Sequence, residues 1–321
     1  MTYTRIIGTG SYLPEKIITN FDLEKIIDTT DEWIVTRTGI HNRHVADAKD
    51  VPVYMAEQAA KEALAAANIK STDIELILVT TVSPEKFFPS TACLLEGHLQ
   101  TNNCMAFDLN AACSGFIYGL TVADQFIRAG TVKRALVVST EVMTSFVDWQ
   151  DRNTCVLFGD GAAAVVVEAS NEPGIITSKL HADGKTHEVL YSNTNLFGEE
   201  KANPKNARIN MKGRELYKPA IAAMVSIAKE VLADANMGID DVDWLIPHQA
   251  NQRMIEMVIK KLGIASEKVI ITIDEHANTS SASVPLALDY ALRNNLIQPG
   301  QNVVLDAFGA GLAWGAILVK F

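Results

Sequence analysis

Residues 60–77 read AKEALAAANIKSTDIELI, and residues 228–245 read AKEVLADANMGIDDVDWL. Ala60, Lys61, Glu62, Leu64, Ala65, Ala67, Asn68 and Asp73 recur without a gap as Ala228, Lys229, Glu230, Leu232, Ala233, Ala235, Asn236 and Asp241. Unrelated Ala-rich helices share a few such positions by chance; a match this long points to a duplicated unit. Outward from the helix, each copy runs into an apolar strand, residues 76–80 and 244–248. A helix follows, then a second strand ending in small or polar residues, 105–113 and 269–278. Each copy closes with strands around a Gly-rich turn, 135–139 with 158–167 and 303–305 with 308–319. Helix alternating with strand predicts two α/β halves whose helices cover their sheets. The break falls at 168–175, around Pro173 and Gly174, and divides the chain into a 1–170 half and a 171–321 half. Segments 13–44 and 139–157 have no counterpart, and insertions on a duplicated scaffold commonly build a binding site or an oligomer contact.

Composition narrows the function. The 321 residues are 48% hydrophobic and 21% charged, as in globular proteins. A net charge of -10 argues against a general nucleic-acid binder, which needs a surplus of Lys and Arg, but leaves room for a local basic patch. The opening Met1 to Gly8 reads as a strand rather than a secretory leader, and no apolar run is long enough to span a bilayer. Cys93, Cys104, Cys113 and Cys155 lack a C-x-x-C or zinc-ribbon spacing, so free thiols in a reducing, cytoplasmic setting are expected. His41 and His44 form an H-x-x-H pair without the carboxylates a metal site needs, and the glycines near Phe158 and Phe308 match neither G-x-G-x-x-G nor a P-loop. No metal and no dinucleotide cofactor are expected.

The duplication places Cys113 and Asn278 at matched strand-to-helix turns, with His248 at the end of the strand opening the second half. Cys, His and Asn facing one another across a pseudo-twofold axis make a nucleophile with polar partners. Cys113 sits in Asn110-Ala-Ala-Cys-Ser-Gly-Phe116 ahead of a helical stretch, where the helix dipole and free N–H groups are expected to lower the thiol pKa. The alternative is a buried structural cysteine. His248 lies in a polar loop, Pro247-His-Gln-Ala-Asn251, at a strand's C-terminal end, where α/β sites form. Asn278 is open to a second reading, as N-cap of a helix over 281–293.

Together these strings resemble the β-ketoacyl-acyl-carrier-protein synthase III family of thiolase-like condensing enzymes. The resemblance runs through residues 31–39 (DEWIVTRTG), 88–93 (FPSTAC), 110–116 (NAACSGF), 151–161 (DRNTCVLFGDG), 247–251 (PHQAN) and 278–280 (NTS), and so covers essentially the whole chain. It implies a five-layered αβαβα duplicated fold, a homodimer, and a two-step reaction without metal or cofactor. Cys113 takes an acyl group, most simply acetyl, from acyl-coenzyme A. Malonyl-acyl-carrier-protein then loses CO2 and attacks the thioester, with His248 and Asn278 donating hydrogen bonds to the enolate. Backbone N–H groups of Cys113 and of the loop around Ala310 form the oxyanion hole.

The same resemblance implies that Trp33 and Arg152 sandwich the coenzyme A adenine, that Arg37 meets its phosphates and Asn251 the pantetheine arm, and that Phe88 closes the acyl pocket from the partner subunit. For the acidic carrier protein it implies a basic face of Arg253, Lys260 and Lys261 on a helix over 251–262, extended by Lys212 and Arg214. Ala277 and Ala310 stand where the family often has Gly, and Tyr217 where Phe is common. Each added methyl is expected beside the cysteine, where it restricts the acyl chain. The alternatives are a related condensing enzyme with another donor or extender, a papain-like protease, whose C-G-[SA]-C-[WY] string is absent, and a thiolase-fold binding protein without catalysis.

Overall fold

The computed structural model describes residues 2–193 and 208–321. Two sheets carry the core. The first has the spatial order β1 (Tyr3–Tyr12), β7 (Asp160–Ser170), β6 (Arg134–Val142), β4 (Leu76–Thr80), β5 (Met105–Leu109). The second runs β11 (Trp244–Pro247), β12 (Asn302–Gly309), β13 (Ala313–Lys320), β8 (Ile175–Ala182). Two short ribbons accompany them, β2 (Ile17–Thr19) with β3 (Asn42–His44) and β9 (Leu190–Ser192) with β10 (Ile209–Met211). The helices are α1 (Asn20–Leu23), α2 (Asp31–Thr38), α3 (Pro52–Ala67), α4 (Thr91–Leu99), α5 (Gly115–Arg128), α6 (Gly213–Asp234), α7 (Gln252–Leu262), α8 (Ile273–His276) and α9 (Ser283–Arg293).

Period-two alternation sorts the strand residues into layers. In β4, Leu76 and Leu78 face α5 and α9 between the sheets, while Ile77 and Val79 face α3 and α4 outside. In β12, Val303 and Leu305 turn inward and Val304 turns out to α6 and α7. The result is five layers: α3 and α4, sheet, α5 and α9, sheet, α6 and α7. This is the thiolase-like αβαβα arrangement that the family resemblance implies, built from the two α/β halves that the repeat predicts. The outer layer sits tight on β1, because a Cβ at Gly8 or Gly10 would lie 2.4 Å from the Ala63 carbonyl or 2.3 Å from that of Ala59.

A displacement of 168 residues, from Ala60 to Ala228, maps one half onto the other. It carries the left-handed Asn68 (φ 54°) that ends α3 onto Asn236 (φ 56°) after α6. It also carries Ala112 (φ 47°) onto Ser280 (φ 52°). The strand expected within 269–278 is the exception: a single bridge joins Leu245 to Val269, and the chain then turns into α8. Sheet 2 therefore lacks a counterpart of β5. The helices also begin later than expected, α7 at Gln252 with Asn251 as its N-cap and α9 at Ser283. The two non-repeated segments pack on each other, Leu23 and Ile34 against Met143, Val147, Val156 and Phe158. No helix among the described residues is long and apolar enough to cross a membrane.

Candidate active site

Cys113 lies in the 3-10 turn Ala112–Ser114 between β5 and α5. The Asn110 side chain accepts the Ala112 N–H at 3.1 Å, and the Ser114 hydroxyl donates to the Ala313 carbonyl at 2.7 Å, tying the turn to the second half. Gly309 presses on it so closely that a Cβ there would come within 2.7 Å of the Cys113 nitrogen. His248 follows β11, its N–H donating to the Asp306 carbonyl at 2.7 Å. Asn278 is bound through its backbone to the first half, donating to the Leu157 carbonyl (2.9 Å) and accepting from the Gly159 N–H (3.1 Å). All three side chains line one cavity of about 590 Å³.

Their environments differ from a simple helix-dipole picture. Burial pushes the Cys113 thiol up to about 11, overriding the Ser280 hydroxyl, which donates to Sγ at 3.5 Å. The expected lowering by the α5 N-terminus is thus reversed, because taking a thiolate out of water costs more than the dipole returns. Burial also pushes His248 down to about 4, so the ring is neutral at physiological pH. Its Nδ1 lies 2.6 Å from the Ser283 hydroxyl. That hydroxyl suits both neutral tautomers: donating to Nδ1 it leaves Nε2–H as a donor, and accepting from Nδ1–H it leaves Nε2 as a base. Asn278 does not cap α9. Its Oδ1 accepts the Ser280 N–H at 2.9 Å and closes the same kind of turn that Asn110 closes ahead of Cys113.

At its exposed end the cavity is lined by Arg37, Arg152, Arg214, Lys218 and Arg253, and among the described residues no carboxylate lines it. A protein of net charge -10 therefore presents a cationic mouth leading to a buried thiol. Trp33 lies there with the Arg37 guanidinium carbon 4.4 Å and that of Arg152 4.9 Å from its ring centroid. A planar base needs about 7 Å between two stacking partners, twice a van der Waals contact, so Arg152 must swing off Trp33 to admit one. Asn251 spans two elements, donating to the Arg37 carbonyl at 3.0 Å and accepting the Arg253 N–H at 2.9 Å.

Phe308 and Gly309 belong to the cavity wall, whereas Ala310 and Ala277 do not. The expectation that both methyls crowd the cysteine is corrected: Ala277 is fully buried against Ile40 and Ile273, behind the wall. It holds φ 57° and ψ -162°, a conformation that suits glycine and costs another residue about 1–3 kcal/mol. Arg253, Lys260 and Lys261 are exposed on α7, Lys212 and Arg214 at the start of α6, and Tyr217 lines the cavity, its hydroxyl 3.3 Å from the Arg253 carbonyl. Phe88 is exposed. Among the described residues no group of three or more His, Cys, Asp and Glu is placed to hold a metal ion. Sequence reasoning missed Ser280, Ser281, Ser283, Lys218 and the buried Glu141. The 168-residue displacement alone would have marked Ser281, the counterpart of Cys113.

A duplicated five-layer fold with Cys, His and Asn converging between its halves defines a thiolase-like condensing enzyme. Residues 107–184 match the family model for 3-oxoacyl-[acyl-carrier-protein] synthase III, and residues 232–321 match the model for its C-terminal part. The chain is 50% identical, over the full length of both, to the β-ketoacyl-[acyl-carrier-protein] synthase III of Thioalkalivibrio sulfidiphilus. It is 49% identical to that of Methylococcus capsulatus, across 99% of each chain. The crystal structure of 3-oxoacyl-[acyl-carrier-protein] synthase III from Aquifex aeolicus superposes with a TM-score of 0.94 at 46% identity, covering 99% of this chain and 100% of that one. The chain belongs to the β-ketoacyl-[acyl-carrier-protein] synthase III family and is a condensing acyltransferase that initiates fatty acid synthesis.

Proposed function

We propose that the 1–170 half supplies Cys113 as the acyl carrier and the 171–321 half supplies His248 and Asn278 to condense that acyl group with a malonyl unit. The observation that carries this reading is one cavity that, among the described residues, joins a buried Cys–His–Asn set to five cationic side chains and no carboxylate, a lining suited to a polyanionic thioester. Cys113 Sγ attacks the thioester carbonyl of a short acyl-coenzyme A, its proton passing to neutral His248 Nε2. The C–S bond breaks, and coenzyme A leaves with that proton. Backbone N–H groups of Cys113 and of the loop around Ala310 hold the oxyanion, each such donor contributing about 10²–10³ in rate. Malonyl-acyl-carrier-protein then loses CO2, and the electrons of the broken C–C bond form an enolate held by His248 Nε2–H and Asn278 Nδ2–H. Its carbon attacks the acyl carbonyl, Cys113 leaves as thiolate, and 3-ketoacyl-carrier-protein departs.

In this reading Arg152 leaves Trp33 to clasp the adenine, Arg37 meets phosphate, and Asn251 contacts the pantetheine arm. The enzyme works as a cytoplasmic homodimer without metal or cofactor. Support for the dimer comes from β5, which among the described residues has no partner strand on its outer side, and from Phe87 and Phe88, exposed at 74% and 87%; Phe88 enters the partner's acyl pocket. The test is intact mass spectrometry after a panel of acyl-coenzyme A thioesters, followed by malonyl-acyl-carrier-protein. An adduct on Cys113 that is discharged as 3-ketoacyl product is expected, and the best donor names the primer. No adduct from any short donor sinks the reading.

Carrier-protein docking is assigned to Arg253, Lys260, Lys261, Lys212 and Arg214. Arg253 also lines the cavity and donates through Nε to the Thr36 carbonyl at 3.0 Å, so its loss disturbs both substrates. Lys260 and Lys261 lie on the exposed side of α7 and outside the cavity wall. Exposed ion pairs contribute about 0.2–1 kcal/mol each. The double variant Lys260→Glu, Lys261→Glu is therefore expected to raise the KM for malonyl-acyl-carrier-protein about fivefold to tenfold at low salt, the gap closing as salt rises. Steady-state kinetics beside the acyl-coenzyme A half-reaction decide it; a parallel loss in both would remove these lysines from docking.

A further inference from the structure

The displacement that maps Cys113 onto Ser281 also maps Asn278 onto Asn110 and His248 onto Thr80. The duplication has thus left a twin of the reactive set, Ser281 with Thr80 and Asn110, in which Ser281 and Thr80 are fully buried. Where the active site has a cavity, the twin has Glu141, a fully buried carboxyl at the end of β6. Its Oε1 accepts from Ser281 Oγ at 2.6 Å. Its Oε2 accepts from Ser83 Oγ at 2.8 Å, the Val82 N–H at 3.1 Å and Thr81 Oγ1 at 3.3 Å. One residue before Ser281, Ser280 donates to the Cys113 sulfur.

We propose that Glu141 is a positioning residue for Cys113: through Ser281 it clamps the turn Ser280–Ala282, setting the Ser280 hydroxyl on the reactive sulfur, while its own charge opposes the thiolate. The proposal rests on Cys113 being the nucleophile. Ser280 and Glu141 then pull the thiol in opposite directions, the hydroxyl favouring the charged sulfur and the carboxylate disfavouring it. Burial keeps the resting cysteine a protonated thiol, with Glu141 adding to it and Ser280 opposing it, which leaves the thiol less open to oxidation and its activation to His248. Burial raises Glu141 itself to about 7, so the clamp changes charge near neutrality. Ser281 can follow that change. It donates to a charged Glu141, and it accepts from a protonated one by turning its hydrogen to the Thr80 carbonyl, 3.2 Å away.

Other ionisable groups on the elements meeting here are His248 beside β11, Asp160 on β7 next to Glu141's register partner Gly161, and Asp306 on β12. The turns 81–83 and Ser280–Ala282 carry none. α3 and α5 bury apolar faces against β6, Asp124 of α5 being paired with Arg128 at 2.8 Å. None of these changes between the variants below, so differences among variants report on the clamp.

Glu141→Gln keeps the volume and removes the charge: the amide oxygen accepts from 81–83, and the amide nitrogen donates to the Ser281 hydroxyl. Ser280→Ala removes only the hydroxyl on sulfur. The experiment follows iodoacetamide alkylation of the Cys113 peptide by mass spectrometry from pH 6 to 10, with acetyl-coenzyme A acylation of the same proteins alongside. Half a pK unit changes the thiolate fraction about threefold. Glu141→Gln is expected to alkylate at least about threefold faster at pH 8, with its profile moved to lower pH, and Ser280→Ala at least about threefold slower, with its profile moved up. A clamp that merely supports the fold cannot produce opposite shifts. Profiles that coincide with the parent, or that move the same way in both variants, overturn the proposal while acylation of the parent stands. Failure of the parent itself to acylate would instead overturn the role given to Cys113.

Discussion

Cys113→Ala is expected to leave no acyl-enzyme and to lower condensation on the order of 10⁴-fold or more, to the limit of detection, as for other enzymes stripped of a covalent nucleophile. Nothing nearby can take over. Ser280 and Ser281 carry hydroxyls in the facing turn and Ser114 one in the turn of Cys113, but Ser281 is committed to Glu141 and Ser114 to the Ala313 carbonyl, and an alcohol without an activating base is a far weaker nucleophile than a thiol. The thiol also cannot act as a standing thiolate. With Cys113 near 11, about one site in 10⁴ is ionised at pH 7, so the proposed acylation has His248 take the proton as the bond forms. The substitution leaves a small gap beside Ser280 rather than a buried charge, and a fold loss of about 1 kcal/mol or less is expected. Intact mass after acyl-coenzyme A and product formation from malonyl-acyl-carrier-protein measure it. A variant with its melting temperature preserved and its activity within tenfold of the parent would take Cys113 out of the chemistry.

The architecture was legible because a duplication writes the same packing problem twice. The helix at 60–67 and its copy at 228–235 both need small residues to lie close on a sheet, and the Ala positions survive in both. Left-handed Asn68 and Asn236 end them for one conformational reason. What the chain does not display is where its tertiary surroundings differ between the copies. Residues 269–273 have the β-branched character of a strand, yet they meet β11 only at Leu245, through Val269 and the Ile270 N–H, and the chain leaves the sheet edge for α8. The thiol shift is hidden for a similar reason. A helix N-terminus is visible in sequence, whereas the burial that outweighs it depends on residues up to 200 positions away, such as Ala313 holding Ser114. Trp33 and Arg152 were legible as partners but not in their arrangement, since which cation covers an indole face is settled by Asp28, which receives the Arg152 guanidinium through its carbonyl at 3.0 Å. Glu141 was invisible because strands of alternating Val, Ser, Thr and Glu are common, and only the fold shows that this Glu faces the twin of the reactive cysteine.

Asn278→Asp should separate the two half-reactions. The substitution preserves the volume and the oxygen that accepts the Ser280 N–H at 2.9 Å, so the turn against Cys113 keeps its geometry. The one group lost is the amide nitrogen, replaced by an acceptor aimed where enolate charge develops. Removal of a single donor costs about 10²–10³ in rate, and putting negative charge in its place pushes the effect toward the upper end. In the proposed mechanism, transfer of the acyl group to Cys113 does not use that donor, because backbone N–H groups hold its oxyanion. The expected pattern is therefore a normal burst of one coenzyme A per site, a stable acyl-Cys113 by intact mass, and 3-ketoacyl product formed about 10³-fold more slowly. His248→Ala supplies the contrast: it removes a donor and a base together, so both steps slow, acylation included. Parallel losses of acylation and condensation in Asn278→Asp, or a condensation rate within tenfold of the parent, would show that Asn278 shapes the turn without touching the enolate.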